Sequence, residues 1–172
     1  PLWLYVTGFG SNVQFPSLGP GVEIDVAGGV KINSDDRKLA IDVGYQRSLY
    51  PDYPASTGSK YGEVQARVDY DFGPVLVSGR LRWSPDNFGH SGHSWNKRAL
   101  VSVPLSFLPL PDDVKLRAYG SLGNFWVEKP QAYGIPGNDY WFWQFGVVTS
   151  VWGLDFTFAY TDTNIDVAGC GY

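Results

Sequence analysis

The sequence predicts an all-β protein, an antiparallel up-and-down β-barrel, and three observations carry that reading. Apolar and polar residues alternate with period two along most of the chain, the spacing that gives a strand one oily and one wet side. Strong helix formers are scarce, with three Glu and nine Ala against 18 Val, and aromatic residues make up 16% of the 172 residues. Breaks rich in Gly and Pro separate the alternating runs and are alternately short and long.

Nine strands follow in order. Leu2 to Gly10 is the first and the least clearly phased. In the second, Val22, Ile24, Val26, Gly28, Val30 and Ile32 alternate with Glu23, Asp25, Ala27, Gly29, Lys31 and Asn33. The third sets Leu39, Ile41, Val43 and Tyr45 against Ala40, Asp42, Gly44 and Gln46; the fourth sets Val64, Ala66, Val68, Tyr70 and Phe72 against Glu63, Gln65, Arg67, Asp69 and Asp71. In the fifth, Val75, Val77, Gly79, Leu81 and Trp83 face away from Leu76, Ser78, Arg80, Arg82 and Ser84. The sixth opposes Ala99, Val101, Val103 and Leu105 to Arg98, Leu100 and Ser102, and the seventh opposes Val114, Leu116 and Ala118 to Lys115, Arg117 and Tyr119. Trp141, Trp143, Phe145 and Val147 mark the eighth against Gln144 and Gly146; Leu154, Phe156, Phe158 and Tyr160 mark the ninth against Asp155, Thr157 and Thr161.

Gly73-Pro74 and Trp152-Gly153 are two-residue breaks between long alternating runs, the signature of tight hairpins. Pairing Phe72 with Val75 puts Tyr70 opposite Val77, Ala66 opposite Leu81 and Val64 opposite Trp83, keeping the apolar residues on one face as a register must. Pairing Val151 with Leu154 does the same for Thr149 with Phe156 and Phe145 with Tyr160. The connections at Ser34 to Arg37, Gly73-Pro74, Leu108 to Asp112 and Trp152-Gly153 read as short turns. Those at Ser11 to Pro20, Pro51 to Lys60, Pro85 to Asn96 and Phe125 to Asn138 read as long loops, and in a meander all four fall at one end. Short turns at one end and long loops at the other are characteristic of outer-membrane barrels.

Alternation alone does not say which face is inside. On the apolar face, charges occur only near the loop ends, as Arg47 and Lys97, where long side chains reach headgroups. Tyr45, Trp83, Trp141, Trp143 and Tyr160 lie toward the same ends, as an aromatic girdle at a membrane boundary does. The fold class is therefore an antiparallel up-and-down transmembrane β-barrel; the alternative is a soluble lipocalin-like barrel or sandwich whose apolar face is its core. Bacterial outer-membrane barrels have even strand numbers. Nine strands, a start at Pro1 and the lack of any Met give the expectation that residues 1–172 are one incomplete barrel domain, processed or partial, of a protein with ten or twelve strands.

The composition excludes other classes. Thirteen Lys and Arg against 17 Asp and Glu, a formal charge of −4, make nucleic acid an unsuitable partner. One Cys excludes an internal disulfide framework, and no apolar run is long enough for a membrane helix. Cys170 reads as an unpaired tail residue.

Gly10-Ser11-Asn12-Val13, Gly21-Val22-Glu23-Ile24-Asp25 with Gly28-Gly29, Leu49-Tyr50-Pro51, Tyr61 with Glu63, Ser84-Pro85-Asp86, Asp139-Tyr140-Trp141 and Thr161-Asp162-Thr163-Asn164 occur in this order over nearly the whole chain. Together they resemble the TorF family, also catalogued as Gcw_chp. The resemblance implies a Gram-negative outer-membrane barrel described by little more than the word porin. It carries over no catalytic residue. Two features usual in the family, an upstream Tyr-x-Phe-Arg-Gly-like motif and an aromatic-ended closing strand, are not in these residues.

If the polar face lines a lumen, its charges are sorted. Glu23, Asp25, Asp42, Glu63, Asp69 and Asp71 stand with only Lys31, Lys38 and Arg67, whereas Arg80, Arg82, Arg98, Lys115 and Arg117 stand on the next strands with no acid. One acidic and one basic wall would impose a transverse field on any solute between them. Arg67 falls opposite Arg80, a like-charge pair that Asp69 or an acid across the lumen must offset.

Three smaller motifs carry weaker chemistry. His90-Ser91-Gly92-His93 offers two imidazoles, too few for a metal site without further ligands, and a flexible polar loop explains it. His90 or His93 with Ser91 or Ser94 and Asp86 has a hydrolase's residue types, but on a loop. Asp162-Thr163-Asn164-Ile165-Asp166 imitates the start of a calcium loop, yet Val167 stands where Gly is required; a turn with Asx hydrogen bonds from Asp162 and Asn164 explains it.

The function expected is a passive outer-membrane channel for small polar solutes, with no enzyme activity, cofactor or metal. Its partners would be membrane lipid, lipopolysaccharide and the solutes, with a homo-oligomer or surface assembly also compatible. The alternatives are a soluble ligand-binding barrel and a narrow barrel plugged by its own cross-lumen salt bridges within a surface assembly.

Overall fold

In the computed structural model, which describes residues 1–15 and 18–166, the chain is one antiparallel sheet of nine strands in sequence order, curled into a half-barrel. The strands are β1 (Leu2–Phe15), β2 (Gly19–Asn33), β3 (Leu39–Leu49), β4 (Tyr61–Asp71), β5 (Leu76–Ser84), β6 (Ser94–Pro104), β7 (Val114–Val127), β8 (Asp139–Val151) and β9 (Leu154–Thr163). One helical turn, α1 (Pro130–Tyr133), interrupts the connection between β7 and β8. Each interior strand pairs only with its two sequence neighbours, the arrangement that hairpins impose.

The predicted registers hold. Tyr70 is opposite Val77, Ala66 opposite Leu81 and Val64 opposite Trp83, while the Phe72 amide donates to the Val75 carbonyl at 2.9 Å. Phe145 is opposite Tyr160, Thr149 opposite Phe156 and Val151 opposite Leu154. The last hairpin needs positive φ at both turn residues, and Trp152 (φ 50°) and Gly153 (φ 81°) supply it.

Several connections differ from expectation. Residues 11–15 and 19–20 are strand, with Ser11 opposite Glu23 and Phe15 opposite Gly19, so only residues 16–18 separate the first two strands where a long loop was expected. Gly, Pro, Ser and Asn there resemble loop composition, but the inward alternation of Ser11, Val13 and Phe15 continues and wins. For the same reason β7 runs on to Val127, and β6 begins at Ser94. The connection between β6 and β7 spans 105–113, longer than its Pro-rich centre suggested.

The apolar face is the exposed one. Val6 is 82% exposed, Val43 51% and Phe158 68%, whereas the alternate residues Glu23, Asp25, Asp42, Arg80, Arg82 and Arg98 are partly covered and Glu63 is buried. Curvature explains the difference. On a concave side, residues two strands apart can meet, and here they do: the Tyr5 hydroxyl donates to Asp42 across β2 at 2.8 Å, and Arg98 reaches Gln144 across β7 at 2.7 Å. The polar residues therefore line the hollow and the valines cover the outside. Glycine makes room for this inner layer: a Cβ on Gly29 or Gly44 would stand 2.6 Å or 2.8 Å from the Tyr5 hydroxyl.

Apart from Val148 on β8, the buried apolar residues sit at the loop end of the hollow. Tyr50, Tyr53, Phe125 and Val127 are buried there beside Ser48, Ser59, Ser84, Asn87, Ser91 and Ser94. Three loops (50–60, 85–93 and 128–138) fold over this end and bond to one another. Gly89 N donates to Gly58 O at 3.0 Å and Lys129 N to Ser91 O at 2.9 Å, while Phe88 packs on Phe15 with centroids 4.9 Å apart.

Candidate functional site

Strand pairing puts the charged residues of the predicted wet side on one face of the sheet, and its two walls differ in how they hold charge. On β2 and β3 the acids are held by hydroxyls and an amide: Tyr50 donates to Glu23 at 2.7 Å, Tyr5 to Asp42 at 2.8 Å and Gln46 to Asp25 at 2.9 Å. Where the walls meet, ion pairs form. Arg67 Nε lies 2.8 Å from Asp69, and Arg82 lies 3.4 Å from Glu63. Asp71 caps its own turn, accepting from Gly73 N at 2.7 Å. Farther round, Arg117 reaches Asp155 of β9 at 3.5 Å, an acid outside the sequence argument because it stands alone on a late strand.

The basic strands are less compensated. Arg67, Arg80 and Arg98 stand side by side in register on β4, β5 and β6, which adds Arg98 to the like-charge pair anticipated for Arg67 and Arg80. Arg98 donates to Ser121 Oγ and Gln144 Oε1, both at 2.7 Å. Asp25 Oδ1, Arg80 Nε, Arg82 Nε and Asn96 Oδ1 are covered yet have no hydrogen-bond partner among the described residues. A face left with such atoms suits ordered water, since dry burial of each would be costly. Two cavities open along this wall: about 90 Å³ between Arg67, Ser78, Arg80, Arg98 and Leu100, and about 260 Å³ beside it, lined by Arg67, Ser102, Arg117, Tyr119 and Thr157 among others. Lys115 is exposed at the turn end of the same face.

The outward face is banded. Tyr45, Trp83, Trp141, Trp143 and Tyr160 point outward near the loop end, joined by Trp95, whose ring centroid is 6.2 Å from that of Trp83, and by Trp126. Trp95 and Trp126 lie on strand extensions that loop-like composition concealed. A second, sparser band occupies the turn end: Tyr70 and Phe72 pack at 4.5 Å, and Phe107 and Trp152 are 77% and 83% exposed. Charges on this face, Arg47, Lys97, Asp139 and Asp162, all belong to the loop end. Ten residues separate Trp141 from Val151, which at about 3.3 Å each and a tilt of about 40° is roughly 25 Å of height.

The histidine loop is packed and not the free polar loop expected of it, because Asn87 and Ser91 are buried beneath it. Its two imidazoles have separate engagements. His90 Nδ1 is 2.9 Å from Asp86 Oδ2, while His93 stacks on Trp83 at 6.1 Å. The hydrogen bond with His90 is the main reason the Asp86 carboxyl titrates below the usual range. The Ser94 hydroxyl accepts from Asn87 Nδ2 at 2.5 Å, and that of Ser91 has no partner among the described residues. Among the described residues no group of three or more metal-ligating side chains gathers. At the end of β9, Asn164 Oδ1 accepts from Trp141 N of the neighbouring strand and Asp162 Oδ1 from Thr163 N, both at 2.8 Å; neither is the bond to its own backbone two residues on that the expected Asx turn requires, because Asp162 still belongs to β9 and Asn164 extends its pairing with β8. Val167 and Cys170 lie outside the described residues.

A family model described as "Bacterial protein of unknown function (Gcw_chp)" matches residues 3–171. The chain belongs to the Gcw_chp family. No curated protein and no solved structure matches it. Several residues that carry the family resemblance converge in this Gcw_chp protein at the loop end of the hollow: Glu23 with Tyr50, Tyr61 beside Ser48 in register, Glu63 with Arg82, and Asp86 with His90.

Proposed function

We propose that this Gcw_chp protein forms part of an outer-membrane β-barrel of the TorF porin type, and that its polar hollow is one side of a passive channel for small polar solutes. One observation carries the reading: the sheet is inside-out by the standards of a soluble domain, with valines, leucines and aromatics exposed while Glu63 is buried and Glu23, Asp25, Asp42, Arg80, Arg82 and Arg98 are partly covered. Exposed apolar side chains in water forfeit about 25 cal/mol per Å², a cost that hydrocarbon removes. Bands of aromatics at both edges, with charges outside the apolar belt, suit a bilayer of ordinary thickness. A soluble lipocalin-like barrel would need the opposite faces.

A second reading, a barrel held shut at its loop end, is favoured by the three packed loops over Tyr50, Tyr53, Phe125 and Val127. Planar-bilayer recording of the full-length protein decides between them. Discrete conductance steps support the channel; a bilayer that stays sealed with the protein inserted supports the closed barrel and rejects transport. A protein that stays folded and monomeric in plain buffer would overturn both.

A further inference from the structure

We infer that the row Arg67, Arg80 and Arg98 is a binding site for a small oxyanion, a phosphate or a similarly charged tetrahedral group, presented on the concave wall. The three residues are direct cross-strand partners, so their α-carbons are about 5 Å apart and their guanidiniums project to the same side. Like charges so placed repel, and carboxylates offset only part of the repulsion. Asp69 holds Arg67 at 2.8 Å, but among the described residues no carboxylate lies within ion-pair distance of Arg80 or Arg98. The nearest acids in sequence or register are already engaged: Glu63 with Arg82, and Asp69 with Arg67 and the Ser78 hydroxyl.

The hydrogen-bonding inventory points the same way. Arg80 Nε is enclosed and has no partner among the described residues, whereas Arg98 uses Nε and one terminal nitrogen on neutral oxygens of Ser121 and Gln144. Donor capacity is therefore in excess where acceptors are missing. Between these side chains lies the cavity of about 90 Å³, lined also by Ser78 and Leu100. That is room for several waters, and so for one tetrahedral oxyanion. Guanidinium forks match phosphate oxygens in pairs, and two forks from adjacent strands offer one anion several charge-assisted bonds. The adjoining cavity of about 260 Å³, with Arg117, Tyr119 and Thr157 on its walls, leaves room for the remainder of a phosphorylated solute.

This inference rests on the lumen of the proposed channel only for access; binding itself does not require conduction. The test uses the full-length protein refolded in detergent micelles, with inorganic phosphate and a sugar monophosphate as probes and the unphosphorylated sugar as control. Phosphorus NMR line broadening or calorimetry should show saturable binding of both phosphates and none of the sugar. Arg80→Gln should weaken binding at least about tenfold, the loss expected for a charge-assisted hydrogen bond. Arg47→Gln, on the outward face, should leave it unchanged. Arg98→Gln serves as the second variant if Arg80→Gln fails to fold. Phosphate binding that is undetectable in the wild type, or equal in wild type and row variants, overturns the site. Binding by the free phosphate alone would assign the site to the inorganic ion. Bilayer recording separates the two proposals: a protein that binds phosphate but does not conduct keeps the site and loses the channel, and the converse loses the site and keeps the channel.

Discussion

Gly44 shows how a single residue shapes the hollow. The Tyr5 ring crosses β2 to reach Asp42 and Gln65, and it lies over Gly29 and Gly44, where a Cβ would stand 2.6 Å and 2.8 Å from its hydroxyl. A larger residue must displace the ring and break the bond to Asp42. Gly44→Val is expected to destabilise the folded protein by about 1–3 kcal/mol, read as a lower urea midpoint in micelles. A wild-type midpoint would show that the ring has other room. At Asp86 the sign of a pH effect is set by direction. Its carboxyl is pulled down chiefly by the His90 hydrogen bond, so the stabilisation is complete above the ordinary aspartate range, near pH 4, and is lost as pH falls through the lowered value. Because both side chains are more than half exposed, the effect is small. Trp83, stacked on His93 of the same loop, is the reporter: its fluorescence should hold steady from pH 7 to about 5 as regards Asp86, change below about 4, and lose that change in Asp86→Asn.

At the scale of elements, the loops over the hollow act as a unit because each contributes to a shared aromatic cluster. Phe88 lies 4.9 Å from Phe15, 5.7 Å from Tyr50 and 6.5 Å from Tyr61, so the β5–β6 connection is tied to β1, to the 50–60 loop and to β4 at once. Phe88→Ala should cost about 2–3 kcal/mol, less than a fully buried ring, and should raise protease sensitivity in 50–60 as well as in 85–93. Cleavage confined to 85–93 would mean the loops are independent. The strand elements were legible to within a few residues wherever alternation ran unbroken, as in β4, β5 and β9. They were missed at the ends of β1 and β7, where Gly, Asn and Ser on a strand resemble a loop; pairing to a neighbour decides there, and no local pattern records it.

The half-barrel as a whole makes a prediction about solvent. Val43 lies midway along β3 on the outward face and is 51% exposed. If that face meets hydrocarbon, Val43→Arg should cost about 2–4 kcal/mol in vesicle-refolded protein, whereas on a watery surface it should stay within about 0.5 kcal/mol. Equal stability of variant and wild type would remove the membrane reading. The sorting of acids and bases on the wet side was readable from strand order. Their partners were not, because the Tyr5 hydroxyl and Asp155 come from strands two away, within reach only once the sheet curls.

Period-two alternation and turn residues determined by themselves that this chain is a nine-stranded meander, the register of its β4–β5 and β8–β9 hairpins, and which side chains share a face. The reason is that side-chain direction in a strand is local, and a one-residue slip would reverse every one of them. Curvature encloses the polar face, the side that the positions of Arg47, Lys97 and the aromatics had marked as inward, and decided what meets there. It brought Tyr5 to Asp42, left Arg80 without an acceptor among the described residues, and drew three polar-looking loops into a packed cap. Those outcomes depend on distances between strands that are not neighbours, which no local pattern of residues encodes.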